Sequence, residues 1–458
     1  MIFTQYYLDC LSQASYLVGD ETTGQAVIVD PRRDITDYLE DAKEKGLTIV
    51  GVLNTHFHAD FISGHLEMAQ ETGAWIGYGP AAKADFEIRN FADGERVELG
   101  EVVLEIMHTP GHTPESMSVL VYEHGTDEAP YGVLSGDALF IGDVGRPDLL
   151  ASIGVTAQEL GTMLYDSIQH KLMGLPDVTR VFPAHGAGSA CGKNLSTEKQ
   201  STIGEQRRTN YACQPMSEQD FIDIVTEGQP SAPEYFVYNA ILNRKERGVR
   251  ETYGEAPALT GEQIDEALAS GAVLLDARDM IEYAAGHLRG SISVPSDGRL
   301  AETVGMVITP EQQVVVLAPE GLEQETVVRL ERIGYDKCVG YVADPEAFLE
   351  ARESQVDQGS RLTVPAAQEA LQNPAVQLVD IRNAGELVNG VIPGSVHIPL
   401  AELRRRAGEL DANAPVLLYC AGGWRSNVGA SLLEREGFAD VSDILGGWDA
   451  WALMAPSA

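Results

Sequence analysis

The stretch NTHFHADFISGH, residues 54–65, carries histidines at 56 and 58, an aspartate at 60 and a phenylalanine at 61. Two imidazoles at i and i+2, followed by a carboxylate two residues on, make up part of a metal site. They come directly after TIVGVL, a short apolar run of strand character. The slot after Asp60, where a further histidine would extend the pattern, holds Phe61, which supplies no donor atom. The chemistry of this stretch therefore needs its first ligands and not its last.

Working outward, three more stretches offer ligands: TPGHT with His112, LSGDALF with Asp137 and FPAHGAG with His185. Each follows a strand-like run, and loops at strand ends are where a rigid scaffold presents functional side chains. A histidine alone beside a strand is ordinarily a hydrogen-bonded structural residue, and His65, His108, His124, His170, His287 and His397 are read that way. The four stretches in this order point jointly to a bound metal. Two histidines and one carboxylate with open positions suit a mononuclear Fe(II) oxygenase. A single zinc on His56, His58 and His112 is equally compatible with the spacing.

The chain of 458 residues is long enough for several domains. Hydrophobic residues make up 44% and charged residues 22%, the balance of a water-soluble globular protein. No apolar run reaches the roughly 18 residues of a membrane span. A formal net charge of −37 repels nucleic-acid phosphates and anionic lipid surfaces, so nucleic-acid and membrane partners are not expected. The first basic residue is Arg32, so the positive start of a secretory signal is missing and a cytoplasmic location is expected. Five widely spaced cysteines do not form a disulfide framework; reduced thiols are expected.

The C-terminal part repeats itself. LLDARDMIEYAAGHLRGSISVP (274–295) and LVDIRNAGELVNGVIPGSVHIP (378–399) share D-x-R-x3-E-x3-G-x3-GS-x3-P at a constant offset, which pairs Asp276, Arg278 and Glu282 with Asp380, Arg382 and Glu386. A repeat of this length is a duplicated domain, and buried strands alternating with helices make each copy a small α/β domain with a parallel sheet. Charged and Pro/Gly-bearing segments at 244–264 and 353–363 mark the boundaries. Three domains follow: 1–245, 259–355 and 360–458. In the last, VLLYCAGGWRSNVG sets Cys420 between a buried strand and a helix start, where backbone N–H groups stabilise a sulfur anion. The first copy has VVVLAPEGLEQETVV there, with Leu317 or Ala318 in the cysteine's place and no arginine after it.

On these residues the first domain resembles the metallo-β-lactamase family, and an αββα sandwich is the fold that this implies. Its binuclear hydrolases carry HxHxDH, whose last histidine is Phe61 here. The persulfide dioxygenases of that fold are the nearer resemblance. It implies one Fe(II) per chain on His56, His112 and Asp137, with His58, Asp60 and His185 orienting ligands and hydrogen-bonding bound water or substrate. Arg146 of IGDVGRPDLL and Cys191 of AHGAGSACGKNLS would then contact the thiol substrate. The C-terminal copies resemble the rhodanese family, whose active loop C-x-G-x-x-R is matched by Cys420, Gly422 and Arg425; the usual histidine of GHIPGA is Val391. The first copy is then a catalytically silent rhodanese-like domain.

The expected activity is oxidation of a low-molecular-weight thiol persulfide by O₂ to sulfite, coupled to rhodanese transfer that forms or uses thiosulfate, in sulfide detoxification. Assembly as a homo-oligomer is expected. The alternatives are a zinc-dependent glyoxalase II-like thioester hydrolase with appended sulfurtransferase domains, and a sulfur-carrier or interaction protein.

Overall fold

The computed structural model describes residues 1–149, 154–250 and 252–454. Two compact units divide the chain: Met1–Pro230 with Phe236–Glu251, and Ser231–Tyr235 with Thr252–Ala458.

In the first unit two six-stranded sheets face each other. One runs in the order Ile2–Leu8, Gln13–Gly19, Gln25–Val29, Thr48–Leu53, Trp75–Tyr78 and Arg89–Asn90. The other runs Ser201–Thr202, Arg180–Pro183, Gly132–Gly136, Met117–Tyr122, Val103–His108 and Arg96–Glu98. Alternate apolar side chains close the space between them: Tyr16, Val18, Val27, Val29 and Leu53 pack with Leu104, Ile106, Val119 and Leu134. The opposite faces are also apolar and are covered by helices. Tyr38 and Ala42 of Thr36–Glu44 lie on Leu17 and Ile28. Leu164, Ile203 and Phe221, from three helices, pack with Leu120, Val133 and Val181. The result is the αββα sandwich expected from the sequence.

Each C-terminal repeat has its own five-stranded sheet, and every pairing within them is parallel. The first copy is ordered Ala258–Leu259, Cys338–Val342, Val314–Leu317, Val273–Asp276, Ile292–Ser293. The second is ordered Ser360–Leu362, Val441–Ile444, Val416–Tyr419, Gln377–Asp380, Val396–His397, the same strand order. Runs such as VVVL and VLLY are buried end to end, as central parallel strands covered on both faces require. Within this unit the helix Trp424–Arg435 of the second copy meets the first copy. Ser293 N–H donates to Ser431 Oγ at 3.0 Å, Ser293 Oγ donates to Asn427 Oδ1 at 2.8 Å, and Arg435 donates to Gly290 O at 2.6 Å.

No helix among the described residues is long and apolar enough to cross a membrane.

Candidate metal centre and cysteine loop

All four ligand-bearing loops of the first unit leave the same ends of its strands: 54–60 after Thr48–Leu53, His112 after Val103–His108, Asp137 after Gly132–Gly136 and His185 after Arg180–Pro183. Hydrogen bonds fix which nitrogen of each imidazole is bare. Thr55 Oγ1 donates to Asp30 Oδ2 at 2.9 Å, so its remaining lone pairs accept from His56 Nδ1–H at 3.0 Å. His112 Nδ1 donates to Arg146 O at 3.0 Å. Both rings thus turn a bare Nε2 inward, as a backbone or side-chain partner on the far nitrogen ordinarily arranges for a metal ligand.

These nitrogens converge on Asp137. His112 Nε2 stands 3.5 Å and His56 Nε2 3.9 Å from Asp137 Oδ2. Their ligand atoms lie within 4.8 Å of one another and all three residues are buried. His56 Nε2 and Asp137 Oδ2 have no hydrogen-bond partner. Leaving buried polar atoms unpaired costs about 1–3 kcal/mol each, and a cation between them removes that cost. Bonds of roughly 2.0–2.2 Å to one ion would span these separations. The donor set fits a metal ion.

Electrostatics agree with the geometry. Burial, then the neighbouring His58, pushes His56 well below the ordinary histidine value, and burial lowers His112 also, so both are neutral and ready to donate a lone pair. Burial alone would raise Asp137, but the charge and hydrogen bond of His185 outweigh it and hold the carboxyl ionised, well below its ordinary value. His185 has a carboxylate on each side, Asp137 Oδ1 2.7 Å from Nδ1 and Asp60 Oδ2 2.8 Å from Nε2. Burial opposes its charge, yet the two anions raise it well above the usual range, and it is an imidazolium.

His58 is engaged through one nitrogen, and its Nδ1 is buried with no hydrogen-bond partner. Its Nε2 donates to Asp30 Oδ1 at 2.9 Å, and its ring packs against Phe61 with centroids 4.3 Å apart. It stands outside the converging group. Cys191 has its sulfur in a second buried group with Asp60 and His185, again within 4.8 Å. Burial and the charges of Asp137 and Asp60 push its thiol well up, so it is protonated.

Arg146 is engaged within the protein. Four of its five N–H groups are taken: Nε and Nη2 donate to Asp148 at 2.7 Å each, and Nη1 to Ala190 O at 3.2 Å and Pro230 O at 2.6 Å. A buried guanidinium so engaged has no free fork for a substrate carboxylate. It pins the loop that holds Cys191 and presents its own carbonyl to His112.

In the second unit Cys420 ends the strand Val416–Tyr419 and precedes the helix Trp424–Arg435. Gly423 N–H donates to Cys420 Sγ at 3.1 Å. The thiol lies 3.7 Å from Ser426 Oγ, which itself donates to Asp443 Oδ2 at 2.9 Å. Arg361 fixes the loop from behind, donating to both Asp443 oxygens at 2.8 and 3.0 Å and to Gly423 O at 2.8 Å. Gly422, singled out by the motif, faces open space where a Cβ would stand. The steric demand is at Gly423, whose φ of +89° is left-handed and whose Cβ would meet Gly446 N at 3.0 Å.

Comparison with known proteins adds to this geometry. Residues 8–185 match the family model described as the metallo-beta-lactamase superfamily, and residues 260–344 and 363–454 each match the rhodanese-like domain. The mitochondrial persulfide dioxygenase ETHE1 of Bos taurus is 32% identical over 237 residues, which is 50% of this chain and 83% of the relative. The chain belongs to the metallo-beta-lactamase superfamily. A metallo-beta-lactamase of Staphylococcus aureus, solved by crystallography, aligns at a TM-score of 0.67 with 34% identity, over 74% of this chain and 98% of that one. A hydroxyacylglutathione hydrolase-like protein of Mus musculus is 30% identical over 55% of this chain and 83% of its own length. Superfamily relatives with different names thus match to a similar degree, and the arrangement of side chains has to discriminate between them.

Three residues of these sites escaped the sequence reading. Asp30, at the end of QAVIVD, sits at φ +51° and receives Thr55 N at 2.7 Å besides Thr55 Oγ1 and His58. Its only mark in the sequence is its position at a strand end. Asn243 clasps the ligand turn: Nδ2 donates to His58 O and Phe61 O at 2.8 Å each, and Oδ1 accepts from Ser63 N at 2.9 Å. It lies 180 positions from Ser63, and nothing local marks it. Gly423 was legible as the second glycine before a helix start.

Proposed function

We propose that the first unit is an iron-dependent persulfide dioxygenase and that the last domain is a sulfurtransferase acting on sulfur of the same pool. One observation carries the first part. The ligand atoms of two imidazoles and one carboxylate, those of His56, His112 and Asp137, lie within 4.8 Å of one another, and His58 is not in that group. That is the donor set of mononuclear Fe(II) oxygenases; catalytic zinc also takes two histidines and a carboxylate, and metal analysis separates the two. His56, His112 and Asp137 would hold the ion. Iron held there would supply the O₂-dependent redox chemistry that oxidises the terminal sulfur.

The chain's own residues have separate tasks. Asp30 holds the rings of His56, through Thr55, and of His58. The His185 imidazolium supplies positive charge beside Asp137 and Asp60, where a second metal would stand in a binuclear relative. Phe61 keeps that side free of one more nitrogen. Cys191, protonated and next to Asp60 and His185, is the side chain we assign to contact with the sulfur of the substrate. The net reaction is RSSH + O₂ + H₂O giving RSH and sulfurous acid. In the last domain Cys420 accepts a sulfane sulfur, held as an anion by the Gly423 N–H and the helix N-terminus, and passes it to sulfite. The Cys–S–S⁻ bond breaks, the new S–S bond forms thiosulfate, and the electron pair returns to Cys420.

The test is O₂ uptake with a defined low-molecular-weight persulfide on protein purified without oxygen, together with metal analysis. One iron per chain and sulfite as product are expected. Two tightly held zinc ions, thioester hydrolysis and no O₂ uptake would establish the hydrolase instead.

A further inference from the structure

Arg425 follows Cys420 by five residues, in the first turn of the helix Trp424–Arg435. Its guanidinium is not free. Nη1 donates to Glu386 Oε2 at 2.7 Å and Nη2 donates to Glu386 Oε1 at 2.6 Å, a two-pronged pair with side chains 26% and 31% exposed. The other guanidinium groups around the loop are paired as well: Arg382 to Asp380 at 2.6 Å and Arg361 to Asp443 at 2.8 Å. Those two pairs are nearly buried and brace the backbone. The Arg425–Glu386 pair alone is partly open to solvent, and Cys420 is among the groups that favour the charge on Arg425.

Glu386 has another job that explains why it is there. It closes a capping box, accepting Asn383 N–H at 2.8 Å at the start of the short helix Ala384–Asn389. In the first copy Glu282 does the same for Asp279, with no arginine in the loop to meet it. The cap is thus common to both copies, and the contact to arginine belongs to the active one. Glutamine serves a capping box equally well, as Gln263 does for Thr260 in this chain.

We propose, on the reading of Cys420 as the sulfur-transfer nucleophile, that Glu386 is a specificity-determining residue: it is a displaceable counter-ion that competes with sulfur oxyanions for Arg425. A dianion entering the loop must break two charge-assisted hydrogen bonds before it gains the same two. Thiosulfate is therefore held weakly and leaves readily once formed, while an organic persulfide, which does not need the guanidinium, loads Cys420 without this cost. In the reverse direction the Cys420 thiolate attacks the outer sulfur of thiosulfate, the S–S bond breaks, sulfite departs with the electron pair, and the cysteine keeps the persulfide. Glu386 raises the concentration of thiosulfate that this direction demands.

The measurement is calorimetric binding of sodium thiosulfate to the full chain at fixed ionic strength, in a Cys420→Ser background so that no turnover intervenes. Glu386→Gln keeps the cap and removes the charge. It is expected to lower the Kd about ten-fold, the scale of one charge-assisted partner regained. Adding Arg425→Ala should erase that gain. An unchanged Kd on Glu386→Gln, a gain that survives Arg425→Ala, or no binding in either protein overturns the proposal. Sulfur transfer by the protein with Cys420 intact is assayed separately. Tighter thiosulfate binding on Glu386→Gln, in a chain that never transfers sulfur when Cys420 is present, keeps the competition for Arg425 and defeats the transferase reading.

Discussion

The metal centre and the cysteine loop are built from opposite materials. The first gathers side chains from four loops spread between residues 56 and 185, and its oriented groups are imidazoles and carboxylates. The second is seven consecutive residues, 420–426, and what it offers a sulfur anion is mainly backbone. A site made of distant side chains depends on the whole sandwich for its geometry, whereas a site made of one loop depends on that loop's conformation. The two should therefore fail in different ways.

The largest effect tests whether they fail separately at all. Cys420→Ser should abolish sulfur transfer and leave iron content and O₂ uptake intact, because a serine hydroxyl cannot carry sulfane sulfur at neutral pH. His112→Ala should do the reverse, losing the metal and O₂ uptake while thiosulfate-to-cyanide transfer persists. Chromatography of sulfite and thiosulfate, with metal analysis, reads both; loss of both activities in either variant breaks the contrast.

Next comes the support behind each site. Asn243→Ala should weaken metal retention by about 10–100-fold, the usual cost of removing a group that orients ligands, with no change in sulfur transfer. Competition with a chromophoric chelator measures it. Gly423→Ala should lower transfer about ten-fold through a left-handed backbone that a Cβ strains, and leave the metal untouched. Transfer kinetics decide this; an unaffected kcat would mean that the loop tolerates the strain.

The smallest effect is one of pH. His56 and His112 are held below their ordinary value of about 6.5 by burial, so the unfolded chain takes up protons that the folded chain refuses. Their contribution to the stability of metal-free protein is present above about pH 6.5 and is lost as pH falls through it. His185, with its value raised, contributes fully below that point and loses its contribution only as pH rises through its own higher value. The difference in Tm between the native protein and His56→Asn should therefore shrink on acidification from about pH 7 to 5, and Cys420→Ser should show no such trend. A constant difference for His56→Asn would mean that the ring is not held neutral.

The same contrast governs what the sequence disclosed. The spacing in residues 54–60 and the stretches around His112, Asp137 and His185 showed the metal centre, because each lies at the end of a strand whose apolar run is local. The D-x-R repeat showed the two C-terminal folds, and the structure returns nearly the same bonds in both: Arg278 Nη2 to Asp276 at 2.5 Å and to Gly286 O at 3.0 Å, against Arg382 to Asp380 at 2.6 Å and Gly390 O at 2.8 Å. The frame is kept where the cysteine loop is absent, so fold and chemistry are written in different residues. Hidden from the sequence were pairings across long separations. Asp30 under His58, Asn243 over the ligand turn and Asp148 with Ala190 on Arg146 depend on where strands finish in space, and no local pattern encodes that.

The clasp by Asn243 has a consequence for how the protein is made. The last of the three candidate ligands is Asp137, but the chain departs from the first unit at Ser231 and returns to it at Phe236 before Asn243 reaches the turn at 58–63. During synthesis the ligand turn is thus complete in residues well before it is fastened. A fragment cut at residue 230 would have all three candidate ligands and an unlatched turn, so the unit that frames the candidate metal centre is longer than the segment that contains its ligands.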